Sequence, residues 1–200
     1  CVVLQCSREN NIKKLIYSST SSGYGTNSSP NIETQADNCL NPYSVTKVSA
    51  EKICSMYTSL YKLPTVIFRY FNVYGERAPT RGQYAPVIGI FQRQKKAGES
   101  LTIIGDGEQR RDFIYVGDVV EANILAATKT IDEEYYGQIF NVGSGKNISI
   151  NEIAKLIHNK FKYLPEREGE IRISLANINK IQKVLSWKPK MDLKKWISQL

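Results

Sequence analysis

Short apolar runs rich in β-branched residues alternate with amphipathic stretches, and that alternation predicts an α/β fold with a parallel sheet and crossover helices. Lys14-Leu-Ile-Tyr-Ser18 and Leu63 to Phe71 read as strands, and between them Asn41-Pro42 opens a helix. The 200 residues are 42% hydrophobic and 23% charged, enough to bury one substantial core or two small ones.

In chain order, Val2–Asn11 reads as the end of a helix, and the first strand runs into a Ser/Thr/Gly loop. Residues 25–40 are polar and aperiodic, hence loop. The helix opened by Pro42 is expected to bury Val45, Val48, Ile53 and Met56. Loop is expected over 76–86, helix over 87–97, and a strand over Leu101–Ile104 turning at Gly105-Asp-Gly107. Phe113–Val116 is a further strand, and Asp118 is placed to cap a helix over Val119–Thr128. Ile139–Val142 is a strand, and Ser149-Ile-Asn-Glu152 is a capping box opening a helix through Ile157. Residues 165–172 are charged and irregular, and Asn177 to Leu185 is a helix closed by Trp187-Lys-Pro189.

Mean hydropathy is −0.34, and no apolar run approaches the roughly 18 residues that span a bilayer, so no membrane partner is expected. The net charge of +8 is spread thinly among acidic residues, with no arginine stripe interleaved with aromatics. It suits an anionic small molecule or plain solubility better than nucleic acid. Cys1, Cys6, Cys39 and Cys54 show no C-x-x-C spacing and read as free thiols of a reducing, cytoplasmic compartment. No basic-then-apolar leader is visible, and the chain opens on Cys1 rather than Met, as a piece of a longer protein would.

Chemistry concentrates at Tyr43-Ser-Val-Thr-Lys47, at a helix start, with Ser18-Ser-Thr20 at a strand end upstream. Tyr and Lys four apart share a helical face. A free tyrosine has a pKa of about 10, and a neighbouring ammonium favours the phenolate that a general base needs. Thr20 can hydrogen-bond the same substrate oxygen. The same spacing also arises in helices with no catalytic role. His158, the one histidine, has no cysteine or carboxylate cluster beside it, so no metal site is expected.

Five segments occur in an order that resembles the extended short-chain dehydrogenase/reductases, in their nucleotide-sugar epimerase/dehydratase group. They are Ser18-Ser-Thr-Ser-Ser-Gly-Tyr-Gly25, Asn41-Pro-Tyr-Ser-Val-Thr-Lys47, Arg69-Tyr-Phe-Asn-Val-Tyr-Gly75, Gly105-Asp-Gly-Glu-Gln-Arg-Arg-Asp112 and Arg167-Glu-Gly-Glu170. The resemblance implies the C-terminal part of a Rossmann-like doubly wound parallel sheet with a smaller α+β substrate-binding domain. Residues 1–75 and 112–145 would belong to the NAD-binding domain, and 76–111 and 146–200 to the nucleotide-sugar domain. The family's glycine-rich turn, which holds the pyrophosphate of NAD at a helix N-terminus, has no match here, which implies roughly a hundred further residues before Cys1. Gly143-Ser-Gly145 lacks a third glycine and reads as a tight loop. The isolated chain is expected to be inactive and poorly stable.

By the same resemblance, Tyr43 is the catalytic base, Lys47 lowers its pKa and contacts the nicotinamide ribose, and Thr20 holds the reacting sugar hydroxyl. Ser18, Tyr70 and Phe71 border the cofactor, and Asn72 and Val87 the sugar nucleotide. Thr102 and Ile104 flank the base, Arg111 and Arg167 bind the diphosphate, and Glu170 takes the ribose. Ser174, seven positions beyond Arg167, borders the C2 substituent of the sugar. Read without the family, Arg111-Asp112 also suits a surface ion pair, and Tyr70 and Phe71 also suit core. Relatives that eliminate water carry Thr-Asp-Glu at the strand end, and relatives that decarboxylate uronic acids commonly carry Glu where Ser22 stands. Thr20-Ser21-Ser22 has neither carboxylate. The expected activity is therefore NAD-dependent 4-epimerisation of a UDP-sugar by a homodimer. Dehydration or decarboxylation is the first alternative, and an inactive relative that only binds is the second.

Overall fold

In the computed structural model, residues 1–82, 85–167 and 169–199 are described. The central sheet is parallel, in the order β1 (Leu15–Thr20), β2 (Thr65–Tyr70), β6 (Ile139–Val142). Side chains alternate across β2, so its two faces build two cores. Ile67 packs with Leu4 of α1 (Val2–Glu9) and with Cys54 and Tyr57 of α2 (Pro42–Tyr61). Val66 and Phe68 pack on the other face, with Val119 and Ala122 of α4 (Val116–Thr128), Ile181 and Leu185 of α6 (Asn179–Leu185), and Trp187. Helices on both faces of a parallel sheet make it doubly wound, as expected.

A second body of structure follows Gly75. β5 (Arg110–Tyr115) runs parallel to β3 (Asn72–Tyr74) and antiparallel to β7 (Asn147–Ser149). β4 (Leu101–Ile104) pairs in parallel with β8 (Phe161–Leu164). The core here joins Phe91 of α3 (Val87–Lys96), Leu101, Ile103, Ile153 of α5 (Ile150–Ile157) and Trp196 of α7 (Leu193–Ile197).

Several details differ from the sequence expectation. On α2, Val48 is buried but Val45 and Met56 are exposed, and Ser44 and Glu51 are buried instead. Asp118 does not cap α4, which begins two residues earlier; its carboxylate accepts the N–H groups of Lys190 and Met191 at 3.1 Å each. The chain turns at Gly105-Asp-Gly107 without forming a hairpin, because β4 takes β8 as its partner. The expected loop over 76–86 and irregular stretch over 165–172 include Gln83, Tyr84 and Glu168, which lie outside the described residues.

Arg172 clamps the Gly105-Asp-Gly107 turn to the segment before residue 173, its guanidinium meeting both Asp106 oxygens at 2.8 Å. That contact and the Glu108 N–H hold the Asp106 carboxyl down to about 2. A folded-state pKa below the unfolded one stabilises fully above about 4, and the contribution is lost as pH falls toward the folded value. The Asp106 carboxyl carbon should therefore titrate by NMR near pH 2, and at a clearly higher pH in Arg172→Ala, where only the Glu108 N–H still holds it down; equal midpoints in the two proteins would contradict the clamp.

Candidate active site

Helix α2 is set in place by its own first turn. The Asn41 side chain accepts the Ser44 N–H at 2.9 Å, Ser44 reciprocates, and Pro42 occupies the opening turn. Tyr43 and Lys47 then stand one turn apart on one face. The Lys47 ammonium donates to the Ser18 carbonyl at 2.9 Å and lies 6.0 Å from the centre of the Tyr43 ring. Tyr43 is 51% exposed, so its phenol is open to a ligand. Thr20 and Tyr70 are register partners at the C-terminal ends of β1 and β2, the edge where open parallel sheets bind ligands. The Thr20 hydroxyl accepts the Ser22 N–H and donates to the Ser22 hydroxyl, both at 3.1 Å. Ser18 and Tyr70 hydroxyls lie 3.3 Å apart, and Tyr70 is anchored by Asn123. Phe71 is buried against Tyr24 and Ala176, so its side chain belongs to the core.

Beneath this edge lies a charge network absent from the sequence expectation. Arg69, 1% exposed on β2, donates to both Glu51 oxygens at 2.9 and 2.6 Å and to Asp37 at 2.7 Å. Its guanidinium carbon sits 4.5 Å from the centre of the Tyr24 ring. Burial opposes the charge, but Glu51 outweighs it and holds the Arg69 pKa above its ordinary value. Glu51 also accepts the Ser19 hydroxyl. The sequence did carry a signal: an arginine inside an otherwise apolar buried strand requires a partner, and Glu51 continues the Tyr43–Lys47 stripe by one more turn.

Of the residues expected to hold the sugar nucleotide, Thr102 and Ile104 lie on β4 and Arg111 on β5, and Glu170 and Ser174 are bonded to β5. Arg111 is paired with Glu170, so two expected ligand contacts engage each other. Burial pulls the Arg111 guanidinium pKa down, and Glu170 opposes that. Thr102 is bonded to Gln94 through both its hydroxyl and its N–H, Ile104 ends β4 half-buried, and Val87 opens α3. Asn72 donates to the Asp112 carbonyl at 2.9 Å. The Ser174 N–H bonds the Arg110 carbonyl at 3.0 Å, which sets it beside the strand that carries Arg111. Arg167 is exposed. A cavity of about 700 Å³ lies elsewhere, between Arg110, Phe113, Ile178 and Met191, and contains neither Tyr43 nor Lys47.

Gly143-Ser-Gly145 wraps a buried carboxylate. Asp112 accepts the Ser144 N–H at 2.7 Å and the Gly145 and Ala176 N–H groups at 3.0 Å. A Cβ on Gly143 would come within 2.6 Å of Ala176 and 2.9 Å of Asp112, which explains the glycine. With those donors already spent on an anion, the loop is not a pyrophosphate cradle. Among the described residues, no group of three or more His, Cys, Asp or Glu is placed to hold a metal, and no helix is long and apolar enough to cross a membrane.

A doubly wound parallel sheet with Tyr43, Lys47 and Thr20 near the C-terminal ends of its strands is the arrangement the family resemblance implies. The chain belongs to the NAD dependent epimerase/dehydratase family, whose model matches residues 1–143. A UDP-glucuronate 4-epimerase of Thermodesulfobacterium geofontis is 33% identical over 98% of this chain and 61% of its own length. A UDP-N-acetyl-alpha-D-glucosaminuronate decarboxylase of Bacillus cytotoxicus is 41% identical over 73% of this chain and 46% of its own. The solved UDP-N-acetylglucosamine 4-epimerase of Methanobrevibacter ruminantium, in complex with UDP-N-acetylmuramic acid, superimposes with a TM-score of 0.89 at 39% identity, covering 100% of this chain and 67% of that one. The chain thus spans roughly half to two-thirds of the length of these proteins.

Proposed function

We propose that the protein is an NAD-dependent 4-epimerase of a UDP-sugar. The observation that carries this function is the Thr20–Ser22 hydroxyl pair at the end of β1, the strand to which Lys47 is bonded, with no carboxylate in the Thr20-Ser21-Ser22 triplet. Epimerisation at C4 needs one proton removed from and returned to one oxygen, and a tyrosine assisted by a lysine and a threonine suffices for that. Elimination of water or loss of a carboxylate calls for further acid–base groups.

The residues present fit the nicotinamide end of NAD. The chemistry of the donor set suits a ribose: the Lys47 ammonium lies on the Ser18 carbonyl and 6.0 Å from the centre of the Tyr43 ring, and the Ser18 hydroxyl stands 3.3 Å from that of Tyr70. When bound, NAD supplies reversible oxidation at the sugar's C4. Tyr43 takes the proton from the C4 hydroxyl and gives it back once the 4-keto sugar has presented its other face. Thr20 orients that oxygen, and Lys47, fixed on the Ser18 carbonyl, holds positive charge beside the phenol. Arg111 releases Glu170 to clamp the diphosphate with Arg167, and Glu170 then turns to the ribose. Asn72, Val87, Thr102, Ile104 and Ser174 border the rest of the nucleotide sugar, and Tyr70 borders the cofactor, with Phe71 in the core behind it. We assign 1–75 and 112–145 to the cofactor half and 76–111 and 146–200 to the substrate half, with α6 packing back on the first sheet.

The test is incubation of the complete gene product with NAD and UDP-N-acetylglucosamine or UDP-glucose. Appearance of the C4 epimer supports this function, and release of carbon dioxide from a UDP-sugar acid would favour the decarboxylase alternative that the 41% identical relative raises. Residues 1–200 alone should show no measurable NAD binding by titration, since no segment of them matches the family's glycine-rich turn; micromolar binding would contradict this. Exposed Val2, Val3, Val45, Met56 and Leu60 on α1 and α2 support a homodimer through these helices. The four unpaired cysteines support a cytoplasmic setting.

Ser174 governs which sugar fits. A serine leaves space for an acetamido group and can hydrogen-bond it, and the similar UDP-N-acetylglucosamine 4-epimerase supports an acetylated substrate. Ser174→Tyr should cut kcat/KM for the acetylated pair at least tenfold more than for the plain hexoses, because overpacking acts first on the larger substrate. An unchanged ratio of specificity constants would remove Ser174 from this role.

A further inference from the structure

We infer that Glu51 is a positioning residue: it locks the helix carrying Tyr43 and Lys47 to the two strands whose ends form the site. The inference rests on the epimerase function proposed above. Tyr43, Lys47 and Glu51 fall at successive turns of one face of α2. Each of the last two is bonded to a different residue of β1: Lys47 to the Ser18 carbonyl, Glu51 to the Ser19 hydroxyl. Ser19 and Arg69 are register partners on adjacent strands, and both bond Glu51. The carboxylate therefore bridges the β1–β2 rung immediately before the Thr20–Tyr70 rung where chemistry is placed.

Val48, Cys54 and Tyr57 bury apolar surface, an attraction without direction. The C-terminal half of α2 is also tied by Thr58 to Thr65 at 2.8 Å and by Ser55 to the Gly137 carbonyl. In the half that carries Tyr43, the directional ties to the strands are Lys47 on Ser18, the Tyr17 hydroxyl on the Lys47 carbonyl at 3.4 Å, and Glu51. A two-toothed guanidinium–carboxylate contact is directional and fixes both the rotation and the slide of the helix. Burial is what makes it firm: Glu51 is 2% exposed and Arg69 1%, so water offers neither a replacement partner. Buried ion pairs contribute little net stability compared with apolar packing, and fixing one register among several is their best-attested use. A displacement of about 1 Å in a reacting group costs on the order of a hundredfold in rate.

The experiment uses the complete gene product with Ser19→Ala and Glu51→Gln. Ser19→Ala removes one arm of the latch and leaves the ion pair whole, so it should fold as the parent does. In Glu51→Gln, which loses the ion pair, kcat should fall at least tenfold while KM for the UDP-sugar stays within twofold, and in Ser19→Ala kcat should fall by a smaller factor with the melting temperature nearly unchanged. Unchanged kcat, or an equal rise in KM, overturns the inference. The second readout needs no turnover: in Glu51→Gln, or in Ser19→Ala if the former does not fold, amide exchange across residues 43–48 should quicken at least tenfold relative to the C-terminal turns of α2. Unchanged protection there overturns the positioning role whether or not the parent epimerises a sugar. A parent without epimerase activity that nevertheless shows the quickened exchange leaves the latch standing and removes only the proposed reaction.

Discussion

Tyr43→Phe should lower kcat by about a hundred- to ten-thousand-fold, the usual contribution of a positioned general acid–base, while KM for the UDP-sugar stays nearly unchanged. The phenol oxygen is the only group removed, and the ring stays where α2 holds it. Tyr43 is half-exposed and no side-chain hydrogen bond of its hydroxyl is present among the described residues, so the substitution leaves no buried polar group unsatisfied. In the proposed function the nucleotide is held at a different place, on Arg111 and its surroundings near β5. Steady-state kinetics on the complete gene product separates the two. Parent-like kcat in Tyr43→Phe would dismiss the phenol as the base, and a large rise in KM with kcat intact would make it a binding group.

Arg69→Leu should destabilise the fold by about 3–5 kcal/mol, the cost of leaving one member of a buried pair without its partner. Glu51 would keep only the Ser19 hydroxyl, while Asp37 would retain Lys52 at 3.1 Å and partial solvation. The double variant Arg69→Leu, Glu51→Leu should recover much of that loss, since no uncompensated charge remains beneath the sheet. Urea unfolding of parent, single and double variants measures this. A single-variant cost below about 1 kcal/mol would mean that the network is wetter than its burial indicates.

Local chemistry was legible in the sequence, and long-range choice of partner was not. The starts of α2 and α5 follow from Asn41-Pro42 and from Ser149 with Glu152, because a cap is satisfied within one turn. β7 and α7 are only three and five residues long, too short for periodicity to register. β8 went unseen because three of its four residues are exposed, leaving no alternation to read. The buried face of α2 was misjudged for a related reason. Val45 and Met56 are apolar yet exposed, and Ser44 and Glu51 are polar yet buried, because a cap and a partner on another strand satisfy them.

The site divides in the same way. The candidacy of Tyr43, Lys47 and Thr20 rests on residue type and spacing, which the sequence carries. The structure sets Tyr43 and Lys47 on one face of α2 and ties Lys47 to the strand that ends in Thr20. The pairing of Arg111 with Glu170 was not readable, since 59 residues separate them along the chain. The same holds for the collar of Gly143-Ser-Gly145 around Asp112: the sequence reads a tight loop, and only the structure shows the carboxylate it encloses.

The most direct measurement follows the hydrogen at C4. UDP-N-acetylglucosamine deuterated at C4 is incubated with NAD and the complete gene product, and the products are read by NMR and mass spectrometry. The account predicts the C4 epimer with deuterium still at C4, since oxidation and its reversal occur within one closed site and Tyr43 exchanges only the hydroxyl proton. A 4-keto-6-deoxy product, or an epimer that has lost its C4 deuterium to solvent, would contradict it.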